Sequence, residues 1–359
     1  MLVEEQGGKG YKWTVLLIAC IGSVMGPLDS TIVSVALPTI SQDLSMDYTA
    51  SVWVPTAYLV VTAALLLSMG RLSDMRGRKP IYVAGFAIFA LGSLLCSLAQ
   101  DGGQLIAFRA LQGVGAAALM ATATALITDA FPPQERGTAL GINAMSVYIG
   151  LSLGPPLGAL LTGVLGWRSI FWVNIPIAAA VIALAQWKLV RPTISDDKTS
   201  FDLAGASSFA IALVAFLVAL TFGESRGWLS AFTLGLLAVA ALALVAFAFT
   251  EKRRGIRALF QLDLVTRNRL FAASNLSALL NYTAFFGVSF ILSFYLQRVL
   301  DLDLYTTGLI LLSMPVVMSL LSPISGWMSD RIGSRALATA GMFIMAAGLL
   351  LMSTLTATS

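Results

Sequence analysis

The stretch GRLSDMRGRKPIY, residues Gly70–Tyr82, is a short charged turn between two long apolar runs. It holds four basic residues and a single acid, Asp74. A related stretch, GWMSDRIGSR, lies at Gly326–Arg335, again between two apolar runs. A charged turn used twice in this way predicts that the chain is built from two related halves.

The composition predicts an all-α polytopic membrane protein. Apolar residues make up 58% of the chain and charged residues 11%, whereas a soluble domain carries about 25% charged residues. Long apolar runs recur from end to end, and each is long enough to cross a bilayer as a helix. Eleven spans are predicted, at residues 14–37, 52–70, 81–99, 104–128, 138–164, 170–188, 204–222, 229–250, 271–296, 304–325 and 336–356.

Basic residues fix the expected orientation of these spans. If the N-terminus is inside, 18 of the 22 lysines and arginines fall in inner segments, and only Arg168, Arg226 and Arg298 fall in outer loops. This bias predicts a cytoplasmic N-terminus. We expect the basic loops to face anionic lipid of the inner leaflet, so the net charge of +4 indicates no nucleic-acid partner.

Several kinds of chemistry are disfavoured. The chain has no histidine, which argues against imidazole catalysis and most zinc or haem sites. Cys20 and Cys96 both lie in apolar runs and are interpreted as small buried hydrophobic residues. No phosphate-binding loop of the G-x-x-x-x-G-K-[ST] type occurs. We therefore expect no enzyme, no bound metal and no cofactor, and any energy for work would come from a proton gradient.

Four motifs, in chain order, resemble those of the major facilitator superfamily and of its drug:proton antiporters. They are LDSTIVSVALP (Leu28–Pro38), the charged turn with its signature positions Gly70, Leu72, Asp74, Gly77, Arg78 and Lys79, LIAFRALQGVGAA (Leu105–Ala117) with Arg109 and Gln112, and GLSLGPPLGALL (Gly150–Leu161), in which Ala159 replaces a glycine. The stretch WRSIFWVNIP (Trp167–Pro176) also suits this group.

The position of the second turn points to the fourteen-helix branch of that family. The turn lies between the tenth and eleventh spans, whereas the twelve-helix members have it between helices 8 and 9. The resemblance implies two six-helix bundles, with two inserted helices at 204–222 and 229–250. The expected domains are an N-terminal bundle at 1–190, the inserted pair with its linkers at 191–262, and the first half of a C-terminal bundle at 263–359. Three further helices are expected after Ser359.

Two charged residues lie inside predicted spans, Asp29 in the first and Arg109 in the fourth. A charge deep in a bilayer costs several kcal/mol and is usually functional. At about 1.5 Å per residue, both are expected in the outer half of the membrane. The resemblance implies that both line a central cavity, where a proton and a cationic substrate would compete for the carboxylate. The alternative is a structural ion pair that orders the two helices.

The charged turn and its second copy are predicted to gate the inner side. Asp74 would cap the third span and pair with a neighbouring helix, and Asp330 with Arg331 would act likewise in the second copy. The alternative for the turn is a simple positive-inside anchor. Gly150, Gly154 and Gly158, with Pro155 and Pro156, predict a closely packed, kinked helix. That helix would either seal the cavity against proton leak or serve packing alone.

Aromatic and amide side chains supply the expected lining of the cavity, although each is also typical of packing or of a membrane interface. These candidates are Trp53, Tyr58, Asn143, Tyr148, Asn281, Tyr282 and Tyr295.

The resemblance implies proton-coupled efflux of lipophilic, often cationic drugs or antiseptics across a bacterial inner membrane. One rival is the same fold exporting another solute, such as a lipid, a siderophore or a metabolite. A second rival, from another class, is a membrane scaffold or sensor that transports nothing. The sequence neither requires nor excludes a periplasmic adaptor as a partner.

Overall fold

A computed structural model describes residues 10–190, 201–255, 258–260 and 262–354, and every regular element in these ranges is helical. The proposed boundary at residue 191 and the last residue, Ser359, lie outside the described ranges. The helices are α1 Tyr11–Asp43, α2 Tyr48–Arg76, α3 Arg78–Ser97, α4 Gly102–Ala130, α5 Arg136–Leu165, α6 Ser169–Trp172, α7 Asn174–Lys188, α8 Leu203–Arg226, α9 Ala231–Arg254, α10 Leu262–Thr266, α11 Arg269–Phe294, α12 Leu304–Ile332 and α13 Ser334–Met352.

Eleven stretches of helix in the described residues are long and apolar enough to cross a membrane, which confirms the predicted number of spans. Most helices extend beyond their apolar centres. For example, α1 covers Tyr11–Asp43, whereas the apolar run predicts 14–37. Hydropathy detects only the part of a helix that lies in hydrocarbon, while the polar ends continue into the head groups and water.

Three details differ from the sequence prediction. The sixth span consists of two helices, α6 and α7, that meet at Val173. The segment expected as a loop at 251–270 contains the last turn of α9 and the short helix α10. The ninth span ends in a π-helical turn, Tyr295–Val299.

The core lies in the first six spans. The helix α4 packs against α1, α2 and α3, while α1 also packs against α5. One apolar cluster gathers around Ile18, Tyr82 and Phe86, and a second around Ile32 and Phe171. The buried apolar residues of α1 up to Met25 belong to the first cluster and those from Leu28 onwards belong to the second, so Asp29 lies where the two clusters meet.

The later helices attach at two places. The pair α8 and α9 pack together, and α8 also lies against α2. The helix α12 packs along α5, where Gly137 and Gly141 face Gly326. In this contact a Cβ on Gly137 would lie 2.6 Å from the carbonyl oxygen of Gly326. The two backbones therefore approach as closely as backbones can, and residues without side chains are required there.

Candidate functional site

A buried ion pair joins α1 to α4. Nη1 of Arg109 donates to Oδ2 of Asp29 at 2.5 Å, and the two side chains are 0% and 1% exposed. The direct contact agrees with the similar depth that the sequence predicts for these two residues. A fully buried pair is stable only when the remaining polar atoms around it are also hydrogen-bonded.

Two side-chain amides complete the surroundings of Asp29. Gln112 and Asn174 each donate to Oδ1 of Asp29 at 2.9 Å. The carbonyl oxygen of the Gln112 side chain accepts from Arg109 at 2.6 Å. Both amides also donate to the hydroxyl oxygen of Ser93, at 2.8 and 3.3 Å. The network therefore ties together α1, α3, α4 and α7, and three donors stabilise the negative charge of Asp29.

Arg109 is held on its other sides by backbone and aromatic groups. Its Nε donates to the carbonyl oxygen of Val54 at 3.3 Å. Its guanidinium carbon lies 4.3 Å from the ring centre of Tyr58 and 6.0 Å from that of Phe171, which is cation–π geometry. Among the described residues, Nη2 of Arg109 has no hydrogen-bond partner.

The expectation that Asp29, Arg109 and Tyr58 line an open cavity is wrong for the conformation seen here. All three are buried inside the first bundle, and Tyr58 is 2% exposed. The reason is the direction of the partners, because α4 and α7 supply the donors to Asp29 from within the bundle. In this conformation the carboxylate of Asp29 is closed off from solvent.

In the charged turn, the basic residue Arg78 contacts the neighbouring helix, and the acid Asp74 does not cap α3. Gly77, with φ of 90°, joins α2 to α3. Arg78 lies 2.5 Å from Oδ2 of Asp129 on α4 and 3.6 Å from Asp74, and it also contacts the carbonyl of Ala125. Asp74 does not cap α3, since no side chain bonds to the first turn of that helix. Asp74 lies one helical turn before Arg78, and the arginine makes the link to the neighbouring helix.

Two other residues of the turn have different surroundings. Lys79 is buried, and its Nζ donates to the carbonyl oxygens of Gln186 and Leu189, at 2.8 and 2.5 Å. A cation is favourable there because carbonyl groups at the end of α7 lack helical partners. Gly70 lies within α2, beside Ala121 of α4.

The second copy of the turn reaches across to the first half. The carboxylate of Asp330 accepts from the backbone N–H groups of Gly137 and Thr138 and from the Thr138 hydroxyl, each at 2.7 Å. An acid at the start of α5 interacts favourably with the unpaired N–H groups and the helix dipole. Asp330 therefore pairs with a neighbouring helix, and its role in gating the inner side remains a prediction. Arg331 instead lies 4.0 Å from the ring centre of Trp327 on its own helix.

The glycines of the fifth-helix motif face α1. A Cβ on Gly150 would lie 2.7 Å from the carbonyl oxygen of Val24, and one on Gly158 would lie 3.1 Å from that of Ile32. Gly154 lies against the side chain of Thr31. The helix α5 continues without a break through Pro155 and Pro156. This geometry provides close packing, and the predicted seal against proton leak remains a prediction.

The remaining cavity candidates fall into separate places. Tyr148 on α5 is half-buried, whereas Tyr282 on α11 is exposed. Asn143 accepts from Ser23 of α1 at 2.7 Å, and Asn281 donates to the sulfur of Met345 at 3.6 Å. Trp53 stacks on Phe222 of α8, with ring centres 5.6 Å apart, and therefore belongs to the contact with the inserted pair. Tyr295 begins the π-helical turn.

Sequence reasoning missed Asn174 and Ser93 as members of the network. Asn174 lies within the stretch WRSIFWVNIP, which carried part of the family resemblance, so a signal for it was present. Ser93 had no such signal, because a serine in an apolar helix most often bonds to its own backbone.

Family models match nearly the whole chain. The model described as Major Facilitator Superfamily matches residues 19–202, and the model described as MFS/sugar transport protein matches residues 160–359. Among solved structures, a proton:xylose symporter of this superfamily, XylE, covers 90% of this chain and 70% of its own, with a TM-score of 0.59 and 12% identity. A likeness at this identity supports the fold.

Curated relatives are similar over the same extent. The riboflavin transporter RibZ of Clostridioides difficile is 36% identical over 97% of this chain and 75% of its own length. The multidrug resistance protein Stp of Mycobacterium tuberculosis is 34% identical over 94% of this chain, and the tetracenomycin C resistance and export protein of Streptomyces glaucescens is 32% identical over 98%. This chain spans 62% and 65% of the latter two proteins. From its helices, its motifs and these matches, the chain belongs to the major facilitator superfamily of membrane transporters.

Proposed function

We propose that this protein carries out proton-driven efflux of lipophilic, often cationic compounds across the bacterial inner membrane. The observation that carries this proposal is the network in which Asp29 is held by Arg109, Gln112 and Asn174. An ionised group at this depth is costly and is retained mainly for function. Two of the relatives are named for multidrug resistance and for drug export, which supports efflux as the direction of transport.

The network suggests how a proton would drive movement. When Asp29 takes up a proton, Arg109 loses its counter-ion while it is still fully buried. Leaving one member of a buried pair uncompensated costs about 3–5 kcal/mol. The arginine would then move towards water or towards another partner, and α1 would separate from α4. Proton uptake at one residue would thus shift the packing of the four helices that the network connects.

Competition between proton and substrate follows this separation. In the present conformation the carboxylate of Asp29 is 1% exposed and three donors occupy it, so no cation can approach. Once the helices part, the carboxylate becomes available to a cationic compound or to a proton. Binding of one would exclude the other, which is the requirement for exchange of the two across the membrane.

A second candidate substrate is a planar aromatic solute such as riboflavin. The specific observation is the similarity to RibZ, which is named as a riboflavin transporter and is 36% identical to this chain.

Transport by the purified protein in lipid vesicles tests the proposal. Ethidium serves as the lipophilic cation and riboflavin as the neutral aromatic solute, each with and without an imposed pH gradient. The double variant Asp29→Asn/Arg109→Gln removes both charges, so it leaves no buried charge unpaired. We expect it to lose gradient-driven ethidium transport, while Asp47→Asn, an exposed helix cap, keeps it. Gradient-driven ethidium transport that survives in the double variant would exclude Asp29 as the coupling residue, and transport of riboflavin alone would select the second candidate.

A further inference from the structure

Two buried acids lie where the inserted pair of helices begins and ends. Asp202 immediately precedes α8 and is 1% exposed, while Glu251 lies in the last turn of α9 and is 2% exposed. Because α8 and α9 form an antiparallel pair, both acids lie at the same end of it. The distribution of basic residues assigns this end to the cytoplasmic side.

Each acid has one oxygen with partners. Oδ1 of Asp202 accepts from the backbone N–H of Gly205 at 2.8 Å and lies 3.3 Å from Nε of Arg254. Oε2 of Glu251 accepts from the backbone N–H of Phe260 at 2.8 Å. Asp202 thus caps α8, and Glu251 holds the segment 258–260 that follows α9.

The second oxygen of each acid is buried and has no hydrogen-bond partner among the residues that the structure describes. These atoms are Oδ2 of Asp202 and Oε1 of Glu251. Both converge on Gly205, since a Cβ added there would lie 2.7 Å from each of them. The two oxygens therefore lie no more than twice 2.7 Å apart, on either side of the space left by the missing side chain of Gly205. Buried oxygens without partners cost free energy, so a native structure that contains two of them in one place requires an explanation.

Over the described residues, the charges at the pair do not compensate two ionised carboxylates. The cation that forms an ion pair with them there is Arg254, whose Nε lies 3.3 Å from Oδ1 of Asp202. A small apolar cluster that includes Leu67 of α2, Phe247 and Leu259 lies in the same part of the fold. Among the described residues, two carboxylates and one guanidinium leave an excess negative charge beside it. Two acids that share such a site cannot both ionise easily.

We propose that Asp202 and Glu251 form a binding site for a single proton. One carboxyl group keeps its proton and donates it to the other, so one O–H···O bond satisfies both unpartnered oxygens. The proton comes from water on the cytoplasmic side and returns there, and no other bond forms or breaks. A Ca²⁺ or Mg²⁺ ion fits less well, because such ions take about six oxygen ligands, and only two free oxygens converge here.

The site connects three parts of the chain. It joins the start of α8 and the end of α9 to the segment 258–260. Residues of this segment line a cavity of about 530 Å³ together with Gly70, Arg71 and Asp74 of the charged turn. Loss of the proton leaves two facing anions, which repel each other and release the segment from this cavity wall. A rise in cytoplasmic pH would therefore loosen the inner side of the protein next to the turn, by a route that does not involve Asp29.

Infrared spectroscopy of the purified protein in lipid nanodiscs tests the site directly. At about pH 7, where ordinary carboxyl groups are ionised, we expect the carbonyl band of a protonated carboxylic acid. Asp202→Asn and Glu251→Gln should each remove this band. The control Asp101→Asn, an exposed acid that caps α4, should retain it. Absence of the band from the unmodified protein, or its persistence in both site variants, would overturn the proposal.

Thermal unfolding against pH provides a second measurement on the same samples. In Glu251→Gln the amide can donate to Asp202 at any pH, so this variant imitates the protonated pair. The bound proton stabilises the folded protein at low pH and is lost as pH rises. From about pH 5 to about pH 9 we therefore expect the Tm of the unmodified protein to fall by at least about 3 °C relative to that of Glu251→Gln. A constant difference, or a fall that added sodium ions remove while choline does not, would show that no proton is bound there.

Discussion

The side-chain amide of Asn174 donates to the carboxylate of Asp29 at 2.9 Å and thereby fixes the first residue of α7 against α1. The sixth span is divided at Val173, immediately before this asparagine. The division therefore places a polar group from the sixth span on the buried charge of the first. Movement of Asp29 relative to α4 must act on α7 as well.

Loss of the Asn174 amide should destabilise the protein without removing the ion pair. We expect Asn174→Leu to lower the free energy of unfolding by about 1–3 kcal/mol, because a buried carboxylate loses one of its three donors. Chemical unfolding in detergent measures this change. The matched control is Asn275→Leu on α11, since Asn275 is exposed and bonds only to its own helix at Phe271, and we expect a change within about 0.5 kcal/mol. Equal effects of the two substitutions would contradict the role of Asn174.

The ion pair should show strong coupling in a double-mutant cycle. Asp29→Asn and Arg109→Gln should each lower the free energy of unfolding by about 3–5 kcal/mol, because each leaves a buried charge unpaired. The loss in the double variant should be smaller, by about 0.5–3 kcal/mol, than the sum of the losses in the two single variants.

A second ion pair on the same helix serves as the control for this cycle. Asp43 and Arg168 lie 2.8 Å apart, with side chains 48% and 43% exposed. For Asp43→Asn and Arg168→Gln we expect a much weaker coupling, because water screens the interaction of two exposed side chains. If the exposed pair couples as strongly as the buried one, burial of Asp29 and Arg109 does not have the energetic effect described above.

The glycines between α5 and α12 should not tolerate a side chain. A Cβ on Gly137 would lie 2.6 Å from the carbonyl oxygen of Gly326 and 2.5 Å from Asp330. We expect Gly137→Ala to force the two helices apart and to cost about 1–3 kcal/mol, as measured by thermal unfolding. Gly163→Ala lies on the same helix with no atom near its added Cβ, and there we expect a gain of up to about 1 kcal/mol from helix propensity. A neutral Gly137→Ala would mean that the two helices are less closely packed than described.

Arg78 should matter for transport more than for stability. It links Asp74 to Asp129 of α4, but both acids are more than half exposed, so its loss should lower stability by at most about 1 kcal/mol. If the link favours one conformation of the turn by a similar free energy, Arg78→Ala should change the transport rate about fivefold. Initial rates in vesicles measure the effect. Arg76→Ala is the control, because Arg76 is exposed and makes no ion pair among the described residues. Equal rates in the two variants would exclude a special role for Arg78.

Much of the architecture follows from the sequence because membrane spans are specified by simple quantities. The length and apolarity of each run predict eleven spans, and the helices found agree in number. The contact of Asp29 with Arg109 was also predictable, because two isolated opposite charges at similar depth in hydrocarbon have few other ways to lower their energy. These predictions need only the position of a residue along its helix.

Properties that depend on the rotation of a helix were not predictable from the sequence. Tyr58 and Asp29 turn inwards and not towards a cavity because their partners lie within the bundle. Asp74 was expected to cap α3, but Gly77 occupies the capping position, and Asp74 forms an ion pair with Arg78 instead. Asp202 and Glu251 were overlooked because they lie at the ends of spans, where an acid is usually solvated. Only the packing of α8 on α9 shows that both are buried.

The bare backbone contact between α5 and α12 also has a mechanical consequence. With Gly137 and Gly326 touching and Asp330 clamped to the start of α5, the two helices share a fixed point near one end. Gly141, one helical turn further along α5, also lies against backbone atoms of α12. If one half of the protein rotates against the other, the axis of rotation should pass through this contact. A small rotation there would produce a large displacement at the far ends of both helices.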